Sequence, residues 1–357
     1  MSRALREIPL IEVGARAAAD LCRADVARVE ALIAGALASH PLFPLAVRLG
    51  DRVSRSWLER SGNPYLGEIR DVADQLRAKG AYFLNIIYEW ACSTSAARDP
   101  SGGGARMIRV LDWGLSGLGR HVVIADHASP VGRFLSATWP GYAGVLTAMA
   151  PGRFSAAINQ APRIPIGGLV IIDEVVAHLR MLCRSGTLPA AHLLRQVFET
   201  APDFAAAVAR LTDRAVDLAA PAIFTVAGVE ADEACVVEAI GRERRLHRSD
   251  AATGIVGVAN DWLSRDLSGK PRIHAAAWSK DMSPADNNRL RRGSVCALQA
   301  GPFRGTVDLA EPVLNEHTVI VAAMNARRGE MIVEALDPLA PGNLPVVVAQ
   351  RRIAAAG

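Results

Sequence analysis

Asn85-Ile-Ile-Tyr-Glu-Trp-Ala-Cys92-Ser-Thr-Ser95 is the segment on which the fold turns. Residues 81–91 (AYFLNIIYEWA) are rich in β-branched and aromatic side chains, which suit a pleated, half-buried backbone, so a strand is expected up to Cys92. Cys92 then stands at the strand boundary, between small Ala91 and the hydroxyl run Ser93-Thr94-Ser95. Arg98-Asp-Pro-Ser-Gly-Gly-Gly104 is a turn by composition, and Met107 to Trp113 (MIRVLDW) reads as the returning strand. A lone cysteine is more often a small buried hydrophobe than a nucleophile. The role of Cys92 therefore has to be judged from the pattern around it.

Toward the N-terminus, Ala, Leu and Val recur at helical spacing over residues 15–39, before Pro41 and Pro44. A second helix is expected from Leu66 to Lys79, with Gly80 as its stop. Toward the C-terminus, His121 to Ala125, Phe134 to Trp139 and Phe154 to Asn159 read as strands. Helices are expected over 169–184, 189–200 and 203–217. Ala222 to Val229 and Ala234 to Ala239 read as a hairpin, and Gly254 to Ala259 as a strand ending at Asn260. A short helix begins near Asp286, and Thr318 to Ala323 and Glu330 to Glu334 are late strands. Strands, then paired helices, then strands again predict layered α+β packing rather than regular βαβ units.

Half of the 357 residues are hydrophobic, enough for a large core, and aromatics make up only 5%. The net charge of +4 is mild. Its basic clusters, Arg242 to Arg248 and Arg289-Arg291-Arg292, read as solvated faces. They carry no interleaved aromatics on which bases could stack, so no nucleic-acid partner is expected. No apolar run approaches the ~18 residues of a membrane span, and the start does not read as a signal peptide. Five widely spaced cysteines without a CxxC argue against disulfides and thiolate zinc, and point to a reducing, cytoplasmic setting. Cys22, Cys183, Cys235 and Cys296 read as packing residues. GxGxxG, the P-loop, GxSxG and HExxH are all missing, so no cofactor and no metal is expected.

The segment from Asn85 to Ser95 resembles the cleavage-site region of the acid ceramidase and N-acylethanolamine acid amidase family, in which a strand leads into a Cys that begins the catalytic chain. The turn at 98–104 and the strand Ile108-Arg-Val-Leu-Asp112 follow in the family's order. Gly141-Tyr-Ala-Gly144 with Pro151 to Phe154, the helix from His192, Thr225 to Gly228, and Ala259-Asn-Asp-Trp262 follow as well. The resemblance covers roughly Leu66 to Arg292. There are two departures: Ser93 stands where Thr is usual, and Ile158-Asn159-Gln160 stands where relatives carry an acidic residue.

The resemblance implies an N-terminal-nucleophile (Ntn) hydrolase: a four-layer αββα sandwich behind an N-terminal helical segment. Residues 1–91 would be a propeptide or first chain, and 92–357 the catalytic domain. Cutting the Ala91–Cys92 bond would give Cys92 a free α-amine as its own base. That amine titrates near ~8, close to working pH. Arg109, Asp112 and Asn260 match the family's catalytic Arg, Asp and oxyanion-hole Asn. Trp113, Tyr142, Asn159, Gln160 and Arg289 are candidate substrate contacts, Arg289 as a looser match to a downstream functional Arg. The implied activity is hydrolysis of a linear N-acyl amide with a lipid-like acyl chain. Rival readings are a bile-salt or penicillin-type acylase, an acyltransferase, and a silent binding relative. A homo-oligomer is left open.

Overall fold

The computed structural model describes residues 5–38, 43–77, 79–86, 90–115, 117–164, 183–267, 269, 282–340 and 342–354. The helix expected over 169–184 falls almost wholly outside these residues. Two sheets form the centre of the described molecule. The first has the order β1 (Arg6–Glu7), β15 (Pro345–Ile353), β14 (Glu330–Pro338), β13 (Thr318–Asn325), β4 (Ala105–Trp113), β3 (Trp90–Arg98) and β12 (Ile255–Val258). The second runs β11 (Glu243–Arg248), β10 (Ala234–Ile240), β9 (Ala222–Ala227), β8 (Phe154–Gln160), β7 (Thr147–Ala150), β6 (Phe134–Thr138), β5 (Val123–His127) and β2 (Leu10–Val13).

The inner faces of the sheets meet where β3 and β4 cross β8 and β9. β4 and β8 are buried at every position, because each lies mid-sheet with a layer on both faces. The outer face of the second sheet is covered by α6 (Ala190–Thr200) and α7 (Phe204–Thr212), and that of the first by α8 (Pro284–Ala297). The architecture is therefore a four-layer αββα sandwich. Close approach between layers depends on glycine. A Cβ on Gly257 of β12 would stand 2.2 Å from the Cys296 sulfur of α8. Gly104, at φ +97, has the Val229 carbonyl oxygen where its Cβ would be.

The N-terminal segment is built into both sheets. β1 pairs in parallel with β15, and β2 in parallel with β5. The helix expected over 15–39 divides at Asp25 into α1 (Ala17–Ala24) and α2 (Val26–Ala38). The helix α3 (Phe43–Arg60) was not anticipated, and α4 stops at Gln75 rather than Lys79 (Leu66–Gln75). The strand expected over 81–91 is corrected at its start: Ala81–Leu84 forms a helical turn, α5, while Trp90 and Ala91 belong to β3 and residues 87–89 lie outside the described residues. The Asp51 carboxylate of α3 accepts the amide hydrogens of Tyr82 and Phe83 at 2.9 and 3.1 Å, capping a helix start that local β propensity opposes. The helix expected over 203–217 ends at Thr212. The basic stretch near Arg244 is β11, an edge strand that pairs only with β10 among the described residues.

Candidate functional site

Cys92 is the third residue of β3, inside the strand rather than at its boundary, and it is fully buried. Strand register explains what surrounds it. Cys92 lies opposite Leu111 and Thr94 opposite Arg109, so Cys92, Thr94 and Arg109 share the inner face. Asp112 lies three residues beyond Arg109, on the outer face opposite Ala91, where α8 packs. Val258 pairs with Thr94, so two residues further on Asn260 comes beside Cys92.

The hydrogen bonds follow this placement. The Cys92 amide donates to Asn260 Oδ1 at 2.9 Å, and its thiol faces the Ile158 carbonyl at 3.7 Å. Arg109 is fully buried. It donates to Thr94 Oγ1 at 3.0 Å, Asn159 Oδ1 at 2.8 Å and the Ile158 carbonyl at 2.7 Å. Asn159 also accepts from Thr94 Oγ1 at 2.6 Å and donates to the carbonyls of Val258 and Ala259. It thus ties the two sheets together at the site. Asn260 Nδ2 donates to the Gln160 carbonyl at 2.8 Å and has no second acceptor among the described residues. Gln160 enters through its backbone, and its own Nε2 is buried without a partner among the described residues.

Arg291, not Arg289, enters the site. Arg291 of α8 forks between Asp112 Oδ2 at 2.7 Å and Asn260 Oδ1 at 3.0 Å. Arg289 is largely exposed and pairs with Asp286 one turn back. The reason is helical periodicity: Asn288, Arg291 and Val295 form the buried face of α8. Asn288 Oδ1 also accepts the Asn260 amide at 3.3 Å. Thr318 Oγ1 completes the shell by donating to Asp112 Oδ1 at 2.9 Å. Thr94 was legible as the next inner-face residue after Cys92. Thr318 and Asn288 had no local signal.

Arg109 and Arg291 bring two positive charges to the site and Asp112 one negative charge. Burial pushes the Cys92 thiol up to about 11, against the pull of Arg109 and Arg291 and with the push of Asp112. Burial also lowers the Arg109 guanidinium from its ordinary range. In the intact chain Cys92 is thus a neutral thiol.

Trp113 and Tyr142 lie apart from this cluster, on an apolar cavity of about 40 Å3. Val29 and Ile33 of α2, Val72 of α4 and Leu76 just beyond it form its other wall, with Trp139 edge-on to Trp113 at 5.4 Å between centroids. Asn85 fixes the turn that carries Tyr142: it donates to the Gly141 carbonyl at 3.0 Å and accepts from the Ala143 amide. Cys22 and Cys235 are buried as expected, but Cys183 is exposed. All five cysteines are free. Among the described residues no group of His, Cys, Asp and Glu is placed to hold a metal, and no helix is long and apolar enough to cross a membrane.

Over 292 residues the chain is 25% identical to a probable acid ceramidase of Caenorhabditis elegans, covering 75% of this chain and 68% of that protein. The likeness is to acid ceramidase. Among solved structures, a C. elegans ortholog of N-acylethanolamine-hydrolyzing acid amidase aligns with a TM-score of 0.46 and 20% identity, over 66% of this chain and 93% of that one. A conjugated bile acid hydrolase of Clostridium perfringens aligns with a TM-score of 0.41 and 10% identity, over 74% and 92%. No family model matches the chain. The acceptor that holds Arg109 from the second sheet is a neutral amide, Asn159.

Proposed function

We propose that this chain is a cysteine amide hydrolase that cuts its own Ala91–Cys92 bond and then hydrolyses linear N-acyl amides through a Cys92 thioester. The observation that carries the reading is the convergence on Cys92. Asn260 grips its amide, Arg109 lies on its inner face, and Asp112 lies opposite the residue before it.

Each group has a task the chemistry needs. A neutral thiol is a weak nucleophile, and the freed α-amine, near pKa ~8, takes its proton. The thiolate attacks the substrate carbonyl carbon. The oxyanion that forms meets the second hydrogen of Asn260 Nδ2 and the positive field of Arg109, whose charge is not balanced by Asn159. The C–N bond breaks, and the α-ammonium returns the proton to the departing amine. Water, deprotonated by the same α-amine, then hydrolyses the thioester. Asp112, held by Arg291 and Thr318, orients the α-amine.

Residues 1–91 act as a retained first chain rather than a discarded leader, and 92–357 as the catalytic chain. The support is structural. The buried Arg195 of α6 holds Glu68 of α4 at 2.8 Å and the Ala15 carbonyl at 3.1 Å, besides the two parallel strand pairings. The free cysteines favour a cytoplasmic setting; recovery in a secreted fraction would contradict that.

The test is hydrolysis of an N-dodecanoyl amide by the cleaved protein, with Cys92→Ala beside it. Free fatty acid, and a dodecanoyl adduct trapped on the Cys92 peptide at low pH, are expected from the wild type alone. Acid release that persists in Cys92→Ala would overturn the assignment. Added hydroxylamine separates hydrolysis from acyl transfer through the product formed.

A further inference from the structure

At the end of the first sheet away from Cys92, the outer face holds a cavity of about 340 Å3. Arg106, on its wall, shares the outer face of β4 with Asp112, six residues and so roughly 20 Å away. One cross-strand row on this face reads Ile108, Ala323, Ile332 and Arg352, from β4 to β15. The short Ala323 side chain leaves a hollow between two isoleucines. Phe303, from the loop after α8, packs into the same apolar cluster and walls the cavity. Small-molecule sites start at ~300 Å3, and a cavity of ~150 Å3 already holds benzene.

The charged lining is three arginines, Arg106, Arg328 and Arg352, against two carboxylates, Asp99 and Glu330, which leaves one positive charge. The carboxylates are committed. Asp99 accepts from the Ser101 amide and hydroxyl at 3.0 and 2.7 Å and from Asn325 Nδ2 at 2.8 Å. Glu330 pairs with Arg328 at 2.7 Å. The other two arginines are only partly matched. Arg106 is 7% exposed, and its Nε and Nη2 donate to the Gln299 side chain and to the carbonyls of Leu298 and Gly301. Its Nη1 has only Asp99 Oδ1 near it, at 4.0 Å, beyond hydrogen-bond reach. Burial also lowers the Arg106 guanidinium from its ordinary range, as expected of a cation short of counter-charge. Arg352 donates once, from Nη2 to the Arg304 carbonyl at 3.2 Å, and has no carboxylate partner among the described residues.

We infer that this cavity binds a small organic monocarboxylate, with its apolar body in the hollow over Ala323 beside Phe303 and its charge met by Arg352 and Arg106. A planar carboxylate matches the guanidinium fork. A single negative charge balances the lining, and the hollow favours an aryl or short alkyl body over a bare ion. The inference does not rest on the amide hydrolase, and the cavity is separate from the Cys92 site.

The experiment is isothermal titration of the full chain carrying Cys92→Ala with 3-phenylpropionate, 3-phenylpropionamide, acetate and inorganic phosphate. The expected result is one 3-phenylpropionate per chain with a Kd on the order of 1 mM or tighter. The amide, acetate and phosphate should each bind at least about tenfold more weakly, since each lacks either the charge or the apolar body. Arg352→Gln, at an exposed position, should weaken 3-phenylpropionate about tenfold, and Arg352→Lys by much less. Ala323→Leu, which fills the hollow, should abolish binding while circular dichroism stays that of the parent. Absence of 3-phenylpropionate binding overturns the inference. So does equal binding of the amide or of phosphate. Binding unchanged in both Arg352→Gln and Ala323→Leu places the ligand elsewhere on the chain and overturns it too.

Discussion

The backbone amide of Cys92 donates to Asn260 Oδ1 across 2.9 Å, joining positions 168 residues apart in the chain. In the proposed reaction the same carboxamide supplies one Nδ2 hydrogen to the oxyanion, the other being held by the Gln160 carbonyl. Removing such a donor costs about 10²–10³ in kcat, or ~3–4 kcal/mol. Asn260→Ala should show that loss in steady-state hydrolysis while KM changes little. A drop confined to KM would place Asn260 in ground-state binding instead.

Arg109 offers a second kinetic prediction. Its three acceptors are neutral, so its charge is available to the thiolate and the oxyanion. Arg109→Lys keeps the charge but loses the fork that spans Thr94, Asn159 and Ile158. It should lose at least about tenfold in kcat/KM, and Arg109→Gln roughly a hundredfold or more. Equal activity in both variants would remove Arg109 from the mechanism.

The two neighbouring arginines of α8 should behave in opposite ways. Arg291→Met leaves the buried Asp112 carboxylate without its ion-pair partner, a change of about 3–5 kcal/mol in stability. Arg289→Ala removes an exposed i,i+3 pair and should stay within about 0.5 kcal/mol. Urea unfolding in the Cys92→Ala background, which is expected to stay in one piece, measures both. Similar midpoints for the two would contradict the placement of Arg291.

The buried thiol predicts a pH effect. An unfolded cysteine ionises near 9.0, whereas Cys92 in the intact chain is held up to about 11. The stability tied to its neutral form is complete below the unfolded value and is lost as pH rises through 9 toward 11. Between those limits the uncleaved chain should lose more thermal stability than Cys92→Ala does. At neutral pH iodoacetamide should mark exposed Cys183 well before buried Cys92. Early labelling of Cys92 would mean that it is not buried in the intact chain.

The first chain should remain bound after cleavage. Arg195 ties Glu68 and Ala15 to α6, with Glu199 at 2.8 Å and the Tyr65 ring 4.2 Å from its guanidinium carbon. Breaking this buried pair with Arg195→Met should cost about 3–5 kcal/mol. Size-exclusion chromatography of cleaved wild type should give one species holding both chains. Separation of the wild-type chains would contradict the retained first chain.

Parts of this architecture are written locally and parts are not. The β3–β4 hairpin was legible because the turn at 98–104 and the returning strand carry their own signals. The separation of Arg109 from Asp112 follows from alternation alone, since three residues along a strand reverse the face. Residues 81–84 were misread because their β propensity is overridden by Asp51, thirty residues away. Arg291 was hidden because the faces of α8 are set by packing against β3 and β12. Thr318 was hidden because its partner, Asp112, is reached only through sheet order. β1 and β2 were too short for a periodicity to show, and their pairing with β15 and β5 is a matter of tertiary fit.

The central claim is that Cys92 begins a chain. Intact mass of purified protein, before and after incubation at acidic and neutral pH, with Cys92→Ala in parallel, tests it most directly. The account predicts two fragments from the wild type, one ending at Ala91 and one starting at Cys92, and a single uncut mass from the mutant. A wild-type chain that stays whole under every condition, or a mutant that is cut at the same bond, would contradict it.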